Sequence, residues 1–404
     1  MMKKLSFGLL ALAGGFASVA CTPAAAYKPD DGRDDRGQLQ AAIDRLSAAG
    51  GGTLQLERGT YDIALPLYLR SAVHIAGRGR DTIITNRRFN NETSWFGTII
   101  FAGNLTPGSY SDDMGEGYPG RPVRRLAADE VELERCAQKE VATLPGRVVW
   151  LSSREATPGR MGRRKPVHGE FTAATGVSGC RIRLQDRIDI PPEQGLLLHW
   201  SDGSRALPVA DHSQPNAPIR DAGLRNIQIE SAAGQAMIGS GCYRCSFVNV
   251  HFGKTRRLIP VQGMRHTRFQ GITGFFTERG IELAMFAKDN IVEDVDAELR
   301  GRSQRGVAPP IRFGEYARDN VLRNINLRLG EAYVGRDKIR FDASAGNRLE
   351  NIRLTVPRDD RRPRFLYRAP GAERGQGDVL PPGTVLRNVK FCFDEEAGQC
   401  VTID

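Results

Sequence analysis

A short pattern that recurs seven times between Asn226 and Phe393 constrains the fold of this chain more than any other feature. Each copy is a small polar residue followed by an alternating apolar run, as in Asn226-Ile-Gln-Ile and Asn324-Ile-Asn-Leu. The first residues of successive copies are separated by 23, 22, 23, 30, 27 and 37 positions. Such a period is typical of solenoids, in which each coil buries its apolar side against its neighbours. Because the Leu-x-x-Leu-x-Leu frame of leucine-rich repeats is missing, the pattern predicts a parallel β-helix.

The coil from Gly280 to Leu299 shows how one repeat is expected to fold. We predict three strands, near Ile281–Met285, Ile291–Glu293 and Val295–Leu299. The first residue of the repeat, usually Asn, then lies at the sharp corner between the second and third strands. Asn tolerates the left-handed backbone that such a corner needs, and its amide can bond to the Asn of the next coil.

The period-two pleat of a strand sorts the side chains of the first strand into two sets. The inward set is predicted to be apolar: Ile281, Leu283, Ile311, Phe313, Ile339 and Phe341. The outward set contains Glu282, Arg312 and Arg340. The outward row is therefore charged.

Residues 30–86 contain one helical pattern followed by strand-like runs. The segment Arg36–Ala49 carries Leu39, Ile43 and Leu46 at helical spacing and stops at Gly50. A lone helix ahead of a β-solenoid indicates a cap, since the end of a repeat array must be covered.

Five motifs in this region resemble the opening of the pectate-lyase-like superfamily. They are Gln40-Ala-Ala-Ile-Asp44, Gly51-Gly-Thr-Leu-Gln-Leu56, Gly59-Thr-Tyr61, Pro66-Leu-Tyr-Leu69 and Gly77-Arg-Gly-Arg-Asp-Thr-Ile-Ile84. The resemblance implies a right-handed parallel β-helix, a fold shared by polysaccharide lyases, galacturonases, epimerases and phage tailspikes. It does not select one activity, because this fold hosts several chemistries.

Residues 102–210 break the repeat. The segment Gly103–Ala127 is rich in Gly, Pro, Asp and Arg and is predicted to be a long loop. Strand-like runs follow at Arg147–Ser152, His168–Ala173, Arg181–Leu184 and Leu196–Trp200. We interpret residues 102–210 as a loop and β-rich insertion within one parallel β-helix domain, residues 27–404, that could wall one side of a groove.

Residues 1–26 have the pattern of an export signal: Lys3 and Lys4, an apolar run, then small residues. The apolar run is too short for a membrane span, so none is predicted in the mature form. Ala24-Ala25-Ala26 fits ordinary cleavage, which predicts a secreted or periplasmic protein. Alternatively, Ser18-Val19-Ala20-Cys21 is a lipoprotein signal, with Cys21 as a lipid anchor in the outer membrane.

Six further cysteines are compatible with disulfide bonds in an exported chain. Cys392 and Cys400 form the expected pair, which joins the last strand to the tail. Cys242 and Cys245 have redox-motif spacing, but they lack the strand-then-helix context of thioredoxin chemistry.

The formal net charge is +10, and it falls to +8 once Lys3 and Lys4 are removed with the signal. A basic surface indicates an acidic partner. Export argues against nucleic acid, so we predict an acidic polysaccharide, bound by a monomer.

The basic residues concentrate where the third strand of one coil leads to the first strand of the next. We predict that this corner and the outward row beside it bind substrate, as that region commonly does in the resembled superfamily. The alternative is solvated loop tips. The predicted substrate-binding residues are Glu282, Arg256, Arg257, Arg302, Arg305 and Arg336.

A polyuronate lyase must neutralise a carboxylate, remove the adjacent α-proton and release the 4-linked sugar. Lys338 is the candidate base because lysine is easier to deprotonate than arginine, with Tyr333 and His251 as alternatives. Arg312 and Arg340 are candidate carboxylate clamps through their bidentate forks.

A galacturonase-like hydrolase needs two or three carboxylates around the scissile bond. Asp296 and Glu298 are predicted to face outward on the third strand, where pairing with Arg328 of the next coil is the preferred interpretation. Calcium needs several converging oxygens, and the charged face offers only Glu282 and Glu315. We therefore predict no cofactor, with calcium as a weaker option.

Together these features predict an exported, all-β, right-handed parallel β-helix with an N-terminal capping helix and a β-rich insertion. The predicted function is cleavage of an acidic, uronate-containing polysaccharide by β-elimination. The alternatives are a non-catalytic glycan-binding or envelope-assembly protein, and a galacturonase-like hydrolase or epimerase.

Overall fold

The computed structural model describes most of the chain. The described residues are 29–86, 98–102, 120–136, 138–158, 164–201, 218–231, 234–301, 308–314, 316–329, 333, 337–356, 364–368, 379–393 and 400–403. The predicted signal, residues 1–26 with Cys21, lies outside these residues.

The chain starts with a helix and six short strands. They are α1 (Arg36–Ala48), β1 (Gly52–Gln55), β2 (Gly59–Asp62), β3 (Leu67–Tyr68), β4 (Val73–Ala76), β5 (Thr82–Asn86) and β6 (Ile99–Ala102). The predicted capping helix is thus present within one residue of its expected bounds. It buries Leu39, Ile43 and Leu46 on the first coil. The Gln40 side chain covers the edge of β3, since it accepts from the Tyr68 N–H at 2.8 Å and donates to the Tyr68 carbonyl at 3.1 Å.

An insertion follows. Its elements are β7 (Arg121–Ala127), β8 (Glu130–Leu133), α2 (Gln138–Val141), β9 (Val148–Ser153), β10 (Ala156–Pro158), β11 (Arg164–Pro166), β12 (Gly169–Ser178), β13 (Arg181–Leu184), a 3-10 turn (Pro192–Gln194) and β14 (Leu196–His199). Six of the strands close into a small barrel in the order β12-β13-β8-β7-β14-β9, with antiparallel neighbours. The predicted β-rich insertion is therefore confirmed. Of the loop predicted over Gly103–Ala127, residues 103–119 lie outside the described residues, and the prediction is wrong for Arg121–Ala127, which forms β7.

The remaining coils complete the solenoid. Their strands are β15 (Ile219–Arg220), β16 (Gly223–Ser231), β17 (Met237–Ser240), β18 (Cys242–Tyr243), β19 (Ser246–Gln262), β20 (Arg268–Ala284), β21 (Ile291–Leu299), β22 (Ile311–Phe313), β23 (Val321–Arg328), β24 (Asp337–Asp342), β25 (Arg348–Thr355), β26 (Arg364–Arg368), β27 (Val385–Cys392) and β28 (Cys400–Ile403). Strand β6 pairs with β17, and β4 pairs with β16. Strands that precede the barrel in the sequence are therefore neighbours of strands that follow it, and the barrel is an insertion between coils of the solenoid.

Parallel pairing between successive coils builds three faces. The first sheet runs through β3, β6, β17, the ends of β19 and β20, β22, β24 and β26. The corner between the first and second sheets is called the barrel-side corner. The second and third sheets run through β16, β19, β20, β21, β23, β25 and β27, before and after the Asn corner respectively. This arrangement confirms the predicted all-β parallel β-helix. Antiparallel pairing of β28 with β27 ends the stack.

The corner between the second and third sheets has the predicted left-handed backbone. The φ angle is 51° at Asn226, 54° at Asn324 and 52° at Asn388. The amides form a ladder along the stack, in which Asn351 donates to Asn324 at 3.1 Å and Asn388 donates to Asn351 at 2.9 Å. The recurring polar residue therefore fixes both the corner and the register of the coils.

The inward residues of the first sheet are fully buried, as predicted. A second amide ladder, which the sequence analysis missed, lies inside the barrel-side corner. Asn290, Asn320 and Asn347 have no exposed surface. Asn290 donates to the Asn320 amide oxygen at 2.9 Å, and Asn320 donates to that of Asn347 at 3.0 Å.

The barrel packs against this same corner of the solenoid. Trp150 and Phe171 of the barrel share an apolar cluster with Tyr243 and Phe286 of the coils. The Trp150 and Phe286 ring centroids are 5.7 Å apart. The barrel has a separate interior core around Val149, so it is a packed unit fastened to the stack.

Three disulfides join cysteines among the described residues. Cys392–Cys400 joins β27 to β28, as predicted, Cys136–Cys180 lies in the insertion, and Cys242–Cys245 closes a coil turn. No helix among the described residues is long and apolar enough to cross a membrane.

Replacing Asn320 by Leu should destabilise the protein strongly. The side chain makes four buried hydrogen bonds, and the change leaves the Asn290 N–H and the Ala287 carbonyl without their partner. Because each unsatisfied buried group costs about 1–3 kcal/mol, we expect the free energy of unfolding to fall by about 2–5 kcal/mol. Urea denaturation followed by circular dichroism measures it.

The matched control is Asn326→Ala, at a half-buried residue whose Nδ2 donates to Asp296 in an exposed hydrogen bond. We expect a loss below about 1 kcal/mol there. Equal losses for the two variants would show that the buried ladder has no special role.

Candidate functional site

The outward face of the first sheet carries a dense group of ionised side chains, which we call the arginine cluster. Strand pairing places Arg257 beside Arg279, and Glu282 beside Arg312, which lies beside Arg340. The outward row predicted from the sequence, Glu282, Arg312 and Arg340, is therefore present in the structure. The cluster comprises Arg256, Arg257, Arg279, Arg312, Arg340, Glu278, Glu282 and Asp342.

Glu282 is the centre of the cluster and is only 2% exposed. Its carboxylate lies 2.9 Å from Arg257 Nη1 and 2.9 Å from Arg312 Nη1, and it also contacts Arg279. Burial alone would raise the pKa of this carboxyl. The three guanidinium groups outweigh burial and hold its pKa far below the ordinary value. Glu282 therefore stays ionised and anchors three cations.

Two other carboxylates of the cluster, Asp342 and Glu278, also form ion pairs with its arginines. Asp342 accepts from Arg312 Nε and Arg340 Nε, each at 2.9 Å. Glu278 pairs with Arg256. Five guanidinium groups against three carboxylates leave two net positive charges on this face.

These contacts hold the planar guanidinium groups in fixed orientations. The side chains of Arg312 and Arg340 remain 18% and 25% exposed. A preorganised guanidinium that reaches solvent suits bidentate binding of a carboxylate. Burial lowers the pKa of Arg257, despite the charge of Glu282.

Lys338, the candidate base, lies two residues before Arg340 but has no exposed surface. Its Nζ lies over the Tyr333 ring, 4.2 Å from the centroid. Tyr333 is itself nearly buried, and its hydroxyl donates to the Asp337 carbonyl at 2.6 Å. The structure brings Lys338 and Tyr333 together, yet it encloses both of them, which does not fit a base that meets a polysaccharide at the surface.

His251, the other candidate base, lies on a different face. It is on the third-sheet part of β19, in register with Thr273 and Asp296. Its Nδ1 is 2.8 Å from Thr273 Oγ1. Burial, and to a lesser extent the charge of Arg80, lowers the pKa of His251 to about 4, so the ring is neutral at neutral pH. The structure does not bring it to the arginine cluster.

Of the predicted substrate-binding residues, the structure gathers Glu282, Arg256 and Arg257. Arg302, Arg305, Arg336 and the considered calcium ligand Glu315 lie outside the described residues. The described part of the chain contains no group of three metal-ligating side chains.

Of the third-sheet carboxylates, Asp296 makes the predicted ion pair with the next coil, whereas Glu298 pairs within its own coil. Asp296 pairs with Arg328 of the next coil at 2.6 Å, and Glu298 pairs with Arg300 at 3.0 Å. A cleft on the barrel lies outside the arginine cluster, and its Arg124 and Glu132 pair with each other at 2.6 Å. Neither feature gathers unpaired catalytic groups.

The sequence analysis missed Asp342, and it did not select Glu278 or Arg279 for the site, although both lie at the basic corner that it identified. Asp342 follows Arg340 by two residues, so the period-two rule that selected Arg340 also places Asp342 on the same face. Arg279 became visible only through its register with Arg257. Pairing each outward residue with its neighbours on adjacent coils would have found both.

Comparisons with known proteins give limited information. No protein-family model and no curated protein matches the chain. Among solved structures, 39 chains match. One is the tailspike protein gp49 from Pseudomonas phage LKA1, with 12% identity, coverage of 89% of this chain and 76% of that one, and a TM-score of 0.32.

Two others are similar to this chain at the same low level. The tailspike of E. coli bacteriophage HK620, in complex with a pentasaccharide, has 11% identity, coverage of 91% of this chain and 48% of that one, and a TM-score of 0.39. The catalytic domain of a GH87 alpha-1,3-glucanase, in complex with tetrasaccharides, has 11% identity, coverage of 95% and 50%, and a TM-score of 0.40. The chain thus spans about half the length of these two proteins. At these scores the likenesses carry no functional argument.

Glu282→Gln should lower the free energy of unfolding by about 3 kcal/mol or more, because it leaves three partly buried guanidinium groups without their shared, buried anion. The change is nearly isosteric, so packing is preserved. The control is Asp296→Asn, at a carboxylate whose side chain is 54% exposed, where we expect less than about 1 kcal/mol. Denaturant midpoints at pH 7 measure both variants.

The same variant should reveal the pH dependence of the cluster. The folded pKa of Glu282 lies below the ordinary 4.5, so its stabilisation is present above about pH 4.5 and is lost as the pH falls. The wild-type free energy of unfolding should therefore approach that of Glu282→Gln as the pH drops below 4.5. A difference that stays constant with pH would contradict this assignment.

Proposed function

We propose that this chain, exported by the segment 1–26, binds an acidic, uronate-containing polysaccharide at the arginine cluster. The observation that carries the proposal is the set of five arginines held on one outward face by three carboxylates. Net positive charge and preorganised guanidinium groups favour a polymer that carries carboxylates. A neutral polymer would leave the charges of this face uncompensated, because it offers them no anion.

Arg312 and Arg340 are the proposed clamps for substrate carboxylates. They lie on adjacent coils, and the shared anchor Asp342 sets their orientation. Neighbouring strands are about 4.8 Å apart, so a chain lying along the solenoid meets Arg312 and Arg340 on successive coils. A side chain fixed before binding loses less entropy on binding, which strengthens each contact.

A second candidate function is cleavage of the bound chain by β-elimination. It is favoured by the placement of Arg312 and Arg340 on adjacent coils, because neutralising the uronate carboxylate is the first requirement of that reaction. In this scheme the two guanidinium groups bind the carboxylate, and Lys338 is the candidate acceptor of the α-proton. Lys338 would take this role only from a position outside its present enclosure by Tyr333.

Binding is tested with purified mature protein and three acidic polymers, polygalacturonate, alginate and hyaluronate, with dextran as the neutral control. We expect Arg340→Ala and Arg312→Ala each to weaken binding about 10- to 100-fold, since a hydrogen bond to a charged group contributes about 1.5–3 kcal/mol. Added salt should weaken wild-type binding as well. Isothermal titration calorimetry at two salt concentrations measures these effects.

Arg353→Ala is the matched control for this experiment. Arg353 is exposed on the third sheet, beside Asn326 and Lys390, so its loss removes the same charge from another face. Binding by this variant should be unchanged within about twofold. Equal weakening by Arg353→Ala, or no binding to any acidic polymer, would overturn the proposal.

β-Elimination is tested by ultraviolet absorbance, because the reaction creates an unsaturated uronate. If the chain is a lyase, the wild type produces a rise in absorbance, and Lys338→Ala abolishes that rise while binding is retained. A rise that survives Lys338→Ala would assign the base to another residue. Tight binding with no rise and no shortening of the polymer would leave the non-catalytic binding function.

A further inference from the structure

The outward side of the second sheet, which we call the second-sheet face, carries a group of cations separate from the arginine cluster. Its strands alternate with buried leucine and phenylalanine residues, so the outward positions reach solvent. Five of these positions are arginines: Arg225, Arg268, Arg323, Arg348 and Arg387. From the coil of Arg225 to the coil of Arg387, the face extends over six strand spacings of about 4.8 Å each.

The carboxylates of the second-sheet face lie beneath its arginines. Glu293 is only 2% exposed and accepts from Arg268 Nε and Arg323 Nε, each at 2.5 Å. The side chains of these two arginines are 47% and 43% exposed. Glu350 lies 3.9 Å from Arg387, and their side chains are 28% and 74% exposed. A partner that approaches the face therefore meets guanidinium groups first.

The net charge of the second-sheet face is positive. Five arginines against Glu293 and Glu350 leave three positive charges, and Asp294 at the adjoining Asn corner reduces them to two. His74 lies on the same face, but burial and the charge of Arg225 lower its pKa, so it is neutral at neutral pH. Such a face attracts an anionic partner and disfavours a second copy of itself.

Aliphatic side chains lie between the arginines and stay partly exposed. Strand pairing sets one row in the order Arg268, Ile291, Val321, Arg348 and Val385. The three aliphatic residues of this row are half-buried. A charged polysaccharide would neutralise the arginines but would give these side chains no apolar partner. The boundary between the headgroups and the acyl chains of a bilayer offers anions and apolar groups together.

We propose that the second-sheet face docks on an anionic lipid surface. Its guanidinium groups bind lipid phosphates, and Ile291 and Val321 contact the apolar boundary beneath the headgroups. A sheet face that extends over several coils suits a flat partner better than a single polymer chain. The proposed export would bring this face to the membranes of the cell envelope. The inference goes beyond the proposed function, because the arginine cluster lies on the first sheet and either site can exist without the other.

The test is co-sedimentation of the full mature protein with phosphatidylcholine vesicles, either pure or mixed with phosphatidylglycerol. We expect binding to the mixed vesicles only, and added salt should weaken it. Each arginine at an anionic membrane changes the affinity about fivefold, so Arg348→Ala should weaken binding about fivefold. The triple variant Arg225→Ala, Arg348→Ala, Arg387→Ala should weaken it about 100-fold. These variants keep both arginines that hold Glu293, and circular dichroism checks their fold. Val321→Ser should weaken binding severalfold at unchanged charge.

Arg353→Ala is the matched control. Arg353 lies on the same strand as Arg348, β25, but beyond the Asn351 corner and on the third sheet. Its loss removes the same charge from another face, so vesicle binding should stay within about twofold of the wild type. Equal weakening by Arg353→Ala and Arg348→Ala would overturn the proposal.

Arg340→Ala separates this proposal from polymer binding, since it should weaken polymer binding and leave vesicle binding intact. If no acidic polymer binds but vesicle binding still depends on Arg348, the proposed function fails and the lipid-binding face stands. Absence of binding to the mixed vesicles would overturn the lipid proposal. In that case, weaker polygalacturonate binding by Arg348→Ala would assign the face to the polymer, and loss of a dimer in Arg348→Ala would assign it to a second copy.

Discussion

The whole arrangement depends on the left-handed corner that each coil makes at its recurring polar residue. Asn226, Asn324 and the residues aligned with them adopt positive φ, which few side chains tolerate, and their amides bond from coil to coil. This corner fixes where each third strand begins and aligns the second and third strands of successive coils. On the first sheet, Ile311 pairs with Ile281 and Ile339, and a shift of one residue would exchange the inward and outward sets that define the charged face.

Once the register is fixed, buried carboxylates determine the net charge of this face and the orientation of its arginines. Glu282 is enclosed by three guanidinium groups and Asp342 joins Arg312 to Arg340, so the cations are held in place before any ligand arrives. Guanidinium groups without carboxylates between them would repel one another. The three carboxylates of the cluster reduce this repulsion and leave a small net positive charge. The same logic operates where the barrel docks, since Glu170 and Asp186 neutralise Arg265 and Lys288.

Much of this structure could be predicted from the sequence, because the fold follows from the spacing of apolar and polar residues over short segments. The helix ahead of Gly50, the Asn corners and the inward row through Ile311 and Phe313 all follow from spacing and backbone preference. The site was predicted less well, because burial depends on contacts between distant residues. Lys338 has the right chemistry for a base, but its enclosure by Tyr333 has no signal in the sequence. The sequence likewise gives no sign that the barrel carboxylates would meet Arg265.

The central claim is that an acidic polysaccharide binds on the arginine cluster, and a crystal structure of the mature protein with a bound uronate oligosaccharide tests it most directly. Our account predicts sugar carboxylates within hydrogen-bond distance of the guanidinium groups of Arg312 and Arg340. An oligosaccharide bound instead on the third sheet beside His251, with no sugar on the first sheet, would contradict it.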